Sequence, residues 1–194
     1  MPRTYRKTRR AATTAATRQR IVDAAVGLHM SIGPARTTVS AIAERAGVQR
    51  LTVYRHFPDP SSLLRACVAH GWSSYPPPDH RAWASEPDPE RRLRLALKEL
   101  YAYYDEVGDA LGVIVGDFRR MPELAALNAP HLARWERMRE TLERGWGARS
   151  RRRRALRAAL SLSLELATWE SLVQREGLSR EEAVELMVRM VRCA

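Results

Sequence analysis

The chain has 194 residues, of which 45% are hydrophobic and 28% charged, and its formal net charge at neutral pH is +11. This composition is typical of a folded protein and excludes a disordered chain, and we find no apolar run of the ~18 residues that a membrane-spanning helix needs. The charge exceeds what solubility requires and favours a polyanionic partner. No secretory signal is recognised at the N-terminus, so we expect a cytoplasmic protein without a membrane partner.

Positive charge is concentrated at the N-terminal end. Residues 1–57 hold eleven Lys and Arg but only two acidic residues, Asp23 and Glu44. Such asymmetry is expected where one module contacts phosphates and the rest of the chain has another role. Within this region, residues 1–16 mix Arg with Ala and Thr without periodicity, which predicts a basic mobile arm that is either solvated or in contact with DNA.

Helical periodicity and caps divide the remaining N-terminal residues. Asp59 followed by Pro60 predicts a helix start. Asp is a common N-cap residue, and proline is tolerated at the first helical position because the N–H that it lacks would have no partner within the helix. The four predicted helices cover residues 17–32, 38–46, 49–57 and 60–75.

The C-terminal part reads as helical too. The proline-rich stretch 76–89 predicts a linker, and further helices are expected around residues 93–104 and 111–118, from Pro122 onward, over 155–175 and after Ser179. Ser179 with Glu182 forms a capping-box pattern. No alternating run predicts a strand, so the fold class is all-α. The arginine run 149–157 is interpreted as a solvated loop or partner contact in preference to a second polyanion site.

Residues 38–57 have the pattern of a helix-turn-helix. Ala43 supplies the small inward residue, Gly47 the tight turn, and Val48, Val53 and Phe57 can fix the second helix against the first. The exposed start of that second helix could then enter a major groove and contact bases through Arg50, Leu51 and Thr52.

The order of these residues resembles the TetR family of bacterial regulators, over about residues 17–70. The matching positions are Gly33, Thr37-Thr38, Ile42-Ala43, Ala46-Gly47-Val48 and Thr52-Val53-Tyr54-Arg55-His56-Phe57. The resemblance implies a three-helix DNA-binding domain with a linking fourth helix over 17–75, and a larger C-terminal helical domain over 76–194 that binds an effector and dimerises.

The resemblance also assigns residue roles. Thr38, Tyr54 and His56 look like phosphate contacts, Gln49 flanks the base readers, and Leu51 stands where a small residue is usual, which predicts an altered operator preference. Pro60 stands where the fourth helix commonly begins with a phosphate-binding lysine. Candidates to replace that backbone contact are Arg36, Arg55 and the N-terminal arm.

Aromatic and polar residues on predicted inward faces are candidates for binding a small-molecule effector, although each alone is more often part of a core. Asn128 and His131 stand out because they interrupt an apolar stripe. The complete candidate set is Trp72, Tyr103, Tyr104, Phe118, Asn128, His131, Trp135 and Trp169.

The last two helices carry more apolar residues than one helix face can bury, which predicts a homodimer joined by a four-helix interface. The predicted interface residues are Leu156, Leu160, Leu164, Ala167, Val184, Met187, Val188 and Val191.

Enzyme motifs and metal-ligand spacings are not recognised, so catalytic residues, a metal and a cofactor are not expected. The resemblance implies a repressor that an effector releases from a pseudo-palindromic double-stranded DNA operator. Two alternatives stay open: a helical small-molecule-binding or enzymatic protein with an incidental hairpin, and an activator or architectural DNA binder without an effector.

Overall fold

The computed structural model describes the backbone of residues 3–194 and the side chains of residues 10–149 and 151–194. This part of the chain contains helices and no strand, as predicted for an all-α protein. A 3-10 turn, Pro34–Arg36, precedes α2, and a π-helical segment, Glu170–Arg175, follows α9. The α-helices are α1 (Arg3–Ile32), α2 (Val39–Arg45), α3 (Arg50–His56), α4 (Pro60–Ser74), α5 (His80–Trp83), α6 (Pro89–Gly116), α7 (Pro122–Glu143), α8 (Ser150–Leu164), α9 (Leu166–Trp169) and α10 (Arg180–Cys193).

The first helix is longer than the sequence pattern predicts. α1 begins at Arg3 and therefore includes most of the stretch that we expected to be an unstructured arm, while residues 1 and 2 lie outside the described part. The side chains of residues 10–16 are exposed. A helix exposed on all sides has no apolar periodicity to detect, and Arg and Ala favour the helical backbone without it.

The chain forms two compact units. The first consists of the residues up to Pro76 together with Ala110–Asn128, and the second of Pro77–Asp109 and Ala129–Ala194. The end of the first segment at Pro76 is close to the predicted boundary, but residues 110–128 belong to the unit that we had assigned to the N-terminal residues alone.

In the first unit, α1 contacts α2 and α4, and α2 contacts α3. Asp59 caps α4, because its carboxylate accepts a hydrogen bond from the backbone N–H of Ser62 at 2.7 Å, and Pro60 occupies the first helical position as predicted. The core between these helices is built from Ile21, Val22, Ala25, Ile42, Ala43, Val53, Phe57, Leu63 and Cys67.

In the second unit, the predicted linker contains the short helix α5. Its Trp83 is fully buried and donates its indole N–H to Glu99 at 2.7 Å. The prediction of a plain connection is therefore wrong at this point, because one aromatic residue anchors the segment. The capping box at Ser179 and Glu182 is present at the start of α10.

The helix predicted over 155–175 is interrupted. α8 begins at Ser150, so the arginine run forms its exposed first turns and not a loop, and it ends at Leu164 because Glu165 adopts an extended backbone. The hydroxyl of Tyr101 donates to the carbonyl of Ser163 at 3.1 Å, and that of Tyr104 donates to the carbonyl of Leu164 at 2.7 Å. These two carbonyls would otherwise accept helical N–H groups from residues 167 and 168. Two buried tyrosines thus replace the helical hydrogen bonds at the break.

Candidate functional site

The helix-turn-helix is held by local hydrogen bonds and by its buried side. The hydroxyl of Thr38 caps α2 by accepting from the backbone N–H of Ala41 at 3.2 Å. Gly47 adopts a φ of +63°, which a residue with a Cβ rarely adopts, and the backbone of Val48 then donates to Ala43 at 2.9 Å. Because Val53 is buried, α3 is fixed along the face opposite to its exposed residues.

The exposed face of α3 starts at its N-terminus. The side chain of Leu51 is 74% exposed and that of Tyr54 is 44% exposed. Neither side chain is therefore used to pack the core, although apolar and aromatic residues are commonly buried. Arg50 and Arg55 are also exposed, whereas Thr52 is half-buried. α3 therefore presents the cation of Arg50, the apolar side chain of Leu51 and the phenol of Tyr54 to solvent. A ligand could contact them without disrupting the core.

The remaining predicted DNA-binding residues lie around this face. Gln49 is the exposed residue before α3, and Arg36 is exposed while its Nε donates to the carbonyl of Ile32 at 2.6 Å. His56 is half-buried, and burial lowers its pKa, with a further lowering by the positive charges of Arg55 and Arg18. A neutral imidazole remains a hydrogen-bond donor, so His56 can contact a phosphate without a charge of its own.

Sequence reasoning missed two residues that support this site. The guanidinium of Arg18 lies 4.6 Å from the ring centroid of Phe57, so α1 contacts the residue that ends α3. Asp117 is buried and accepts from the backbone N–H of Ala35 at 2.9 Å, in the 3-10 turn before Thr38. No sequence signal indicates either contact, because the partners are distant along the chain.

The effector candidates are divided between the two compact units. In the first unit, Trp72 donates its indole N–H to Asn128 at 2.9 Å, and the amide of Asn128 donates to the carbonyl of Leu124 at 2.8 Å. Phe118, also in the first unit, is half-buried. The partner that a buried asparagine needs is thus supplied within the protein.

In the second unit, four of the candidates form an aromatic cluster, with Tyr104 at its centre. Its ring centroid lies 5.9 Å from those of Tyr103 and Trp169 and 6.4 Å from that of Trp135. Trp169 also donates to Asp105 at 3.0 Å. Burial raises the pKa of Tyr103 to about 12, so its phenol is uncharged at neutral pH. His131 lies on α7 in the same unit and is half-buried.

Most of the predicted dimer-interface residues face the core of their own chain. Ala167 alone of this set is exposed. The others are buried within one chain and cannot meet a partner unless that core opens, so their assignment to an interface requires correction: Leu156, Leu160, Leu164, Val184, Met187, Val188 and Val191. Large apolar residues that do remain exposed on α8 and α10 are Leu162, at 45%, and Met190, at 48%.

Among the described residues, no group of three or more His, Cys, Asp or Glu side chains is placed to hold a metal ion. No helix in that part of the chain is long and apolar enough to span a membrane.

The profile of the family described as bacterial regulatory proteins, tetR family, matches residues 21–67. The HTH-type transcriptional regulator TtgR of Pseudomonas putida is 40% identical over 74 residues, which are 38% of this chain and 34% of TtgR. The chain thus matches about a third of the length of this curated relative.

Solved structures extend the likeness to most of the chain. A TetR-like transcriptional regulator from Rhodococcus sp. RHA1 is similar over 91% of this chain and 94% of that chain, with a TM-score of 0.63 and 18% identity, which shows a shared fold. The TetR-like regulator LfrR from Mycobacterium smegmatis, in complex with proflavine, is similar over 90% of this chain and 93% of its own, with a TM-score of 0.50 and 25% identity. Residues 21–67 thus carry the helix-turn-helix of the tetR family of bacterial regulatory proteins, and the chain as a whole shares the fold of TetR-like regulators.

Proposed function

We propose that the chain is a sequence-specific DNA-binding transcription regulator, acting in the cytoplasm as a dimeric repressor that an effector releases from a pseudo-palindromic operator. The observation that carries this proposal is the exposed start of α3, where Arg50 and the 74% exposed Leu51 project from a helix whose Val53 is buried. An apolar residue so exposed at the start of a recognition helix is suited to contact with a base edge.

Each side chain of this face matches a different chemical feature of DNA. The guanidinium of Arg50 can donate two hydrogen bonds to guanine O6 and N7, and Leu51 can pack on a thymine methyl group. Thr38, Tyr54 and His56 can donate to phosphates and so set the position of α3 on the duplex. The eleven cations of residues 1–57 add attraction that does not depend on sequence.

The dimer interface is proposed to use the exposed residues of α8 and α10. Leu162 and Met190 expose nearly half of their surface to water, and Ala167 lies just beyond the break after α8. Burial of these residues against a second copy would remove apolar surface from water. Two recognition helices in successive major grooves would then read half-sites ~34–36 Å apart.

The effector is proposed to bind at the aromatic cluster of the second unit. Trp135 is the half-buried ring of this cluster and could stack on a planar ligand, while Tyr103, Tyr104 and Trp169 are buried behind it. The structure of LfrR in complex with proflavine, a planar compound, supports the proposal that the ligand is planar.

The proposal is tested by selecting bound duplexes from a random pool and measuring affinities by fluorescence anisotropy at one fixed salt concentration. Arg50→Ala is expected to weaken binding to the selected site by about 1–3 kcal/mol and to relax the preference at one guanine. Arg120→Ala, an exposed cation of the same unit, serves as the matched control and should leave both unchanged. Failure to enrich any sequence, or equal behaviour of both variants, would refute the proposal.

A further inference from the structure

Arg134 of α7 is a cation without an acidic partner in the described structure. Its Nη2 donates to the backbone carbonyls of Pro77 and Pro78, both at 3.3 Å, and its Nε is buried without an acceptor. Arg139, further along the same helix, instead forms ion pairs with Glu136 and Glu143. The guanidinium of Arg134 is therefore under-satisfied, and a half-buried charge in that state gains from an incoming anion.

The groups around Arg134 leave its charge uncompensated. Burial lowers the pKa values of His131 and His80, and the charge of Arg134 lowers both further, so both imidazoles are neutral at pH 7. The phenol of Tyr103 is also neutral, and Arg134 lies near enough to act on its pKa. Asp79, which raises the pKa of His80, is half exposed.

Other charges near His80 do not change this balance. Arg81 and Arg137 both add positive charge around that histidine, and Asp79 is engaged by Arg81 at 3.2 Å. Three of the four charged groups that act on the pKa of His80 are therefore cations.

Two members of the aromatic cluster are linked to this cation: Tyr103, whose pKa it lowers, and Trp135, which lies on the same helix. Trp135 follows Arg134 directly in the chain and is half-buried, and its ring lies 6.4 Å from that of Tyr104. Tyr103 connects the two features, because it contacts the Tyr104 ring at 5.9 Å and lies within the influence of Arg134. One ligand could thus place a ring on the aromatic side chains and an anionic group on the guanidinium.

We propose that the effector is a planar aromatic acid whose carboxylate is bound by Arg134, with its ring packed against Tyr103 and Trp135. This inference rests on the proposed function and specifies the chemical class of effector for the same site. A carboxylate accepts two parallel hydrogen bonds from a guanidinium, and that pairing is strong where water is excluded. An amide of the same shape lacks the charge and would lose most of this interaction.

The test measures direct binding of naphthalene-2-carboxylate by quenching of tryptophan fluorescence, with 2-naphthamide as the neutral probe and proflavine as the cationic probe. The wild-type protein is expected to bind the carboxylate at least tenfold more tightly than either other probe. Arg134→Gln should lower the affinity for the carboxylate at least tenfold and leave that for the amide unchanged. Arg134→Lys, which keeps the charge without the two-pronged geometry, should give an intermediate affinity.

Arg189→Gln removes an exposed cation of α10 in the same unit that is not among the charges acting on His80, and it is the matched control, which should bind the carboxylate as the wild type does. Thermal unfolding of each variant without ligand identifies a loss of folding, and in that case Arg134→Lys decides. The proposal is overturned if the wild type shows no saturable binding of the carboxylate at millimolar concentration. It is also overturned if folded Arg134 variants bind the carboxylate as tightly as the wild type, or if the wild type binds proflavine more tightly than the carboxylate. Operator binding without ligand is measured separately. If the protein fails to bind DNA, the measurement of ligand binding can still be interpreted.

Discussion

Removal of the Asp117 carboxylate should destabilise the turn that leads into the helix-turn-helix. This side chain is 6% exposed, and its Oδ2 accepts from the backbone N–H of Ala35 at 2.9 Å. The chain passes so close that a Cβ placed on Gly33 would lie 2.6 Å from the same oxygen, and Gly33 adopts a φ of +88°. The turn is thus shaped around the carboxylate.

The size of the effect follows from the type of hydrogen bond. A bond to a charged acceptor contributes about 1.5–3 kcal/mol, and its loss leaves the Ala35 N–H without this partner. Asp117→Ala should therefore lower the free energy of unfolding by that amount. Urea denaturation at one protein concentration gives this value from the midpoint, provided that the slope stays constant.

Two variants isolate the carboxylate. Asp117→Asn keeps an oxygen acceptor without the charge and should lose about half as much as the alanine variant. Arg120→Ala removes the exposed cation that lies 3.8 Å from Asp117 and should change the free energy by less than about 0.5 kcal/mol. A loss below about 0.5 kcal/mol in Asp117→Ala would refute this reasoning.

Four further predictions concern other parts of the chain. Leu51→Ala should weaken the selection of a thymine at one operator position, measured by sequencing of selected duplexes, and unchanged base frequencies would contradict it. Tyr104→Phe should lower the free energy of unfolding by about 1–3 kcal/mol, measured in urea, because the buried Leu164 carbonyl loses its donor. Burial lowers the pKa of His29 from 6.5 to about 4, so protonation of this residue opposes folding. The free energy of unfolding should therefore keep its full value above pH 6.5 and fall by about 3 kcal/mol as the pH approaches 4. His29→Leu should show a flatter dependence on pH in the same denaturation series. Leu162→Glu should shift the proposed dimer towards monomer in light scattering, and an unchanged mass would remove this residue from the proposed interface.

The helix-turn-helix was the most predictable part of the structure because its determinants are local. Thr38, Gly47 and Asp59 act within three or four residues of their positions, through a hydroxyl cap, a left-handed backbone and a carboxylate cap. Their residue types alone therefore indicate where α2 and α4 begin and where the chain turns between α2 and α3.

Contacts between distant residues could not be predicted in this way. The end of α8 depends on hydroxyl groups of Tyr101 and Tyr104, which lie some 60 residues earlier in the chain. The apolar periodicity continues across the break, because burial is required on both sides of it. Periodicity therefore predicted one helix where the hydrogen bonds produce α8, α9 and a π-helical segment.

The same limit explains the error in the dimer interface. An apolar periodicity indicates which residues are removed from water, but it does not indicate whether their own chain or a second copy covers them. Leu160 and Val184 are fully buried within one chain, so their burial is already explained there. Leu162 and Met190 lie on the same two helices with nearly half of their surface exposed, and folding of one chain leaves them in water. Residual exposure is the property that separates the two sets, and it moves the proposed interface to the outer faces of α8 and α10.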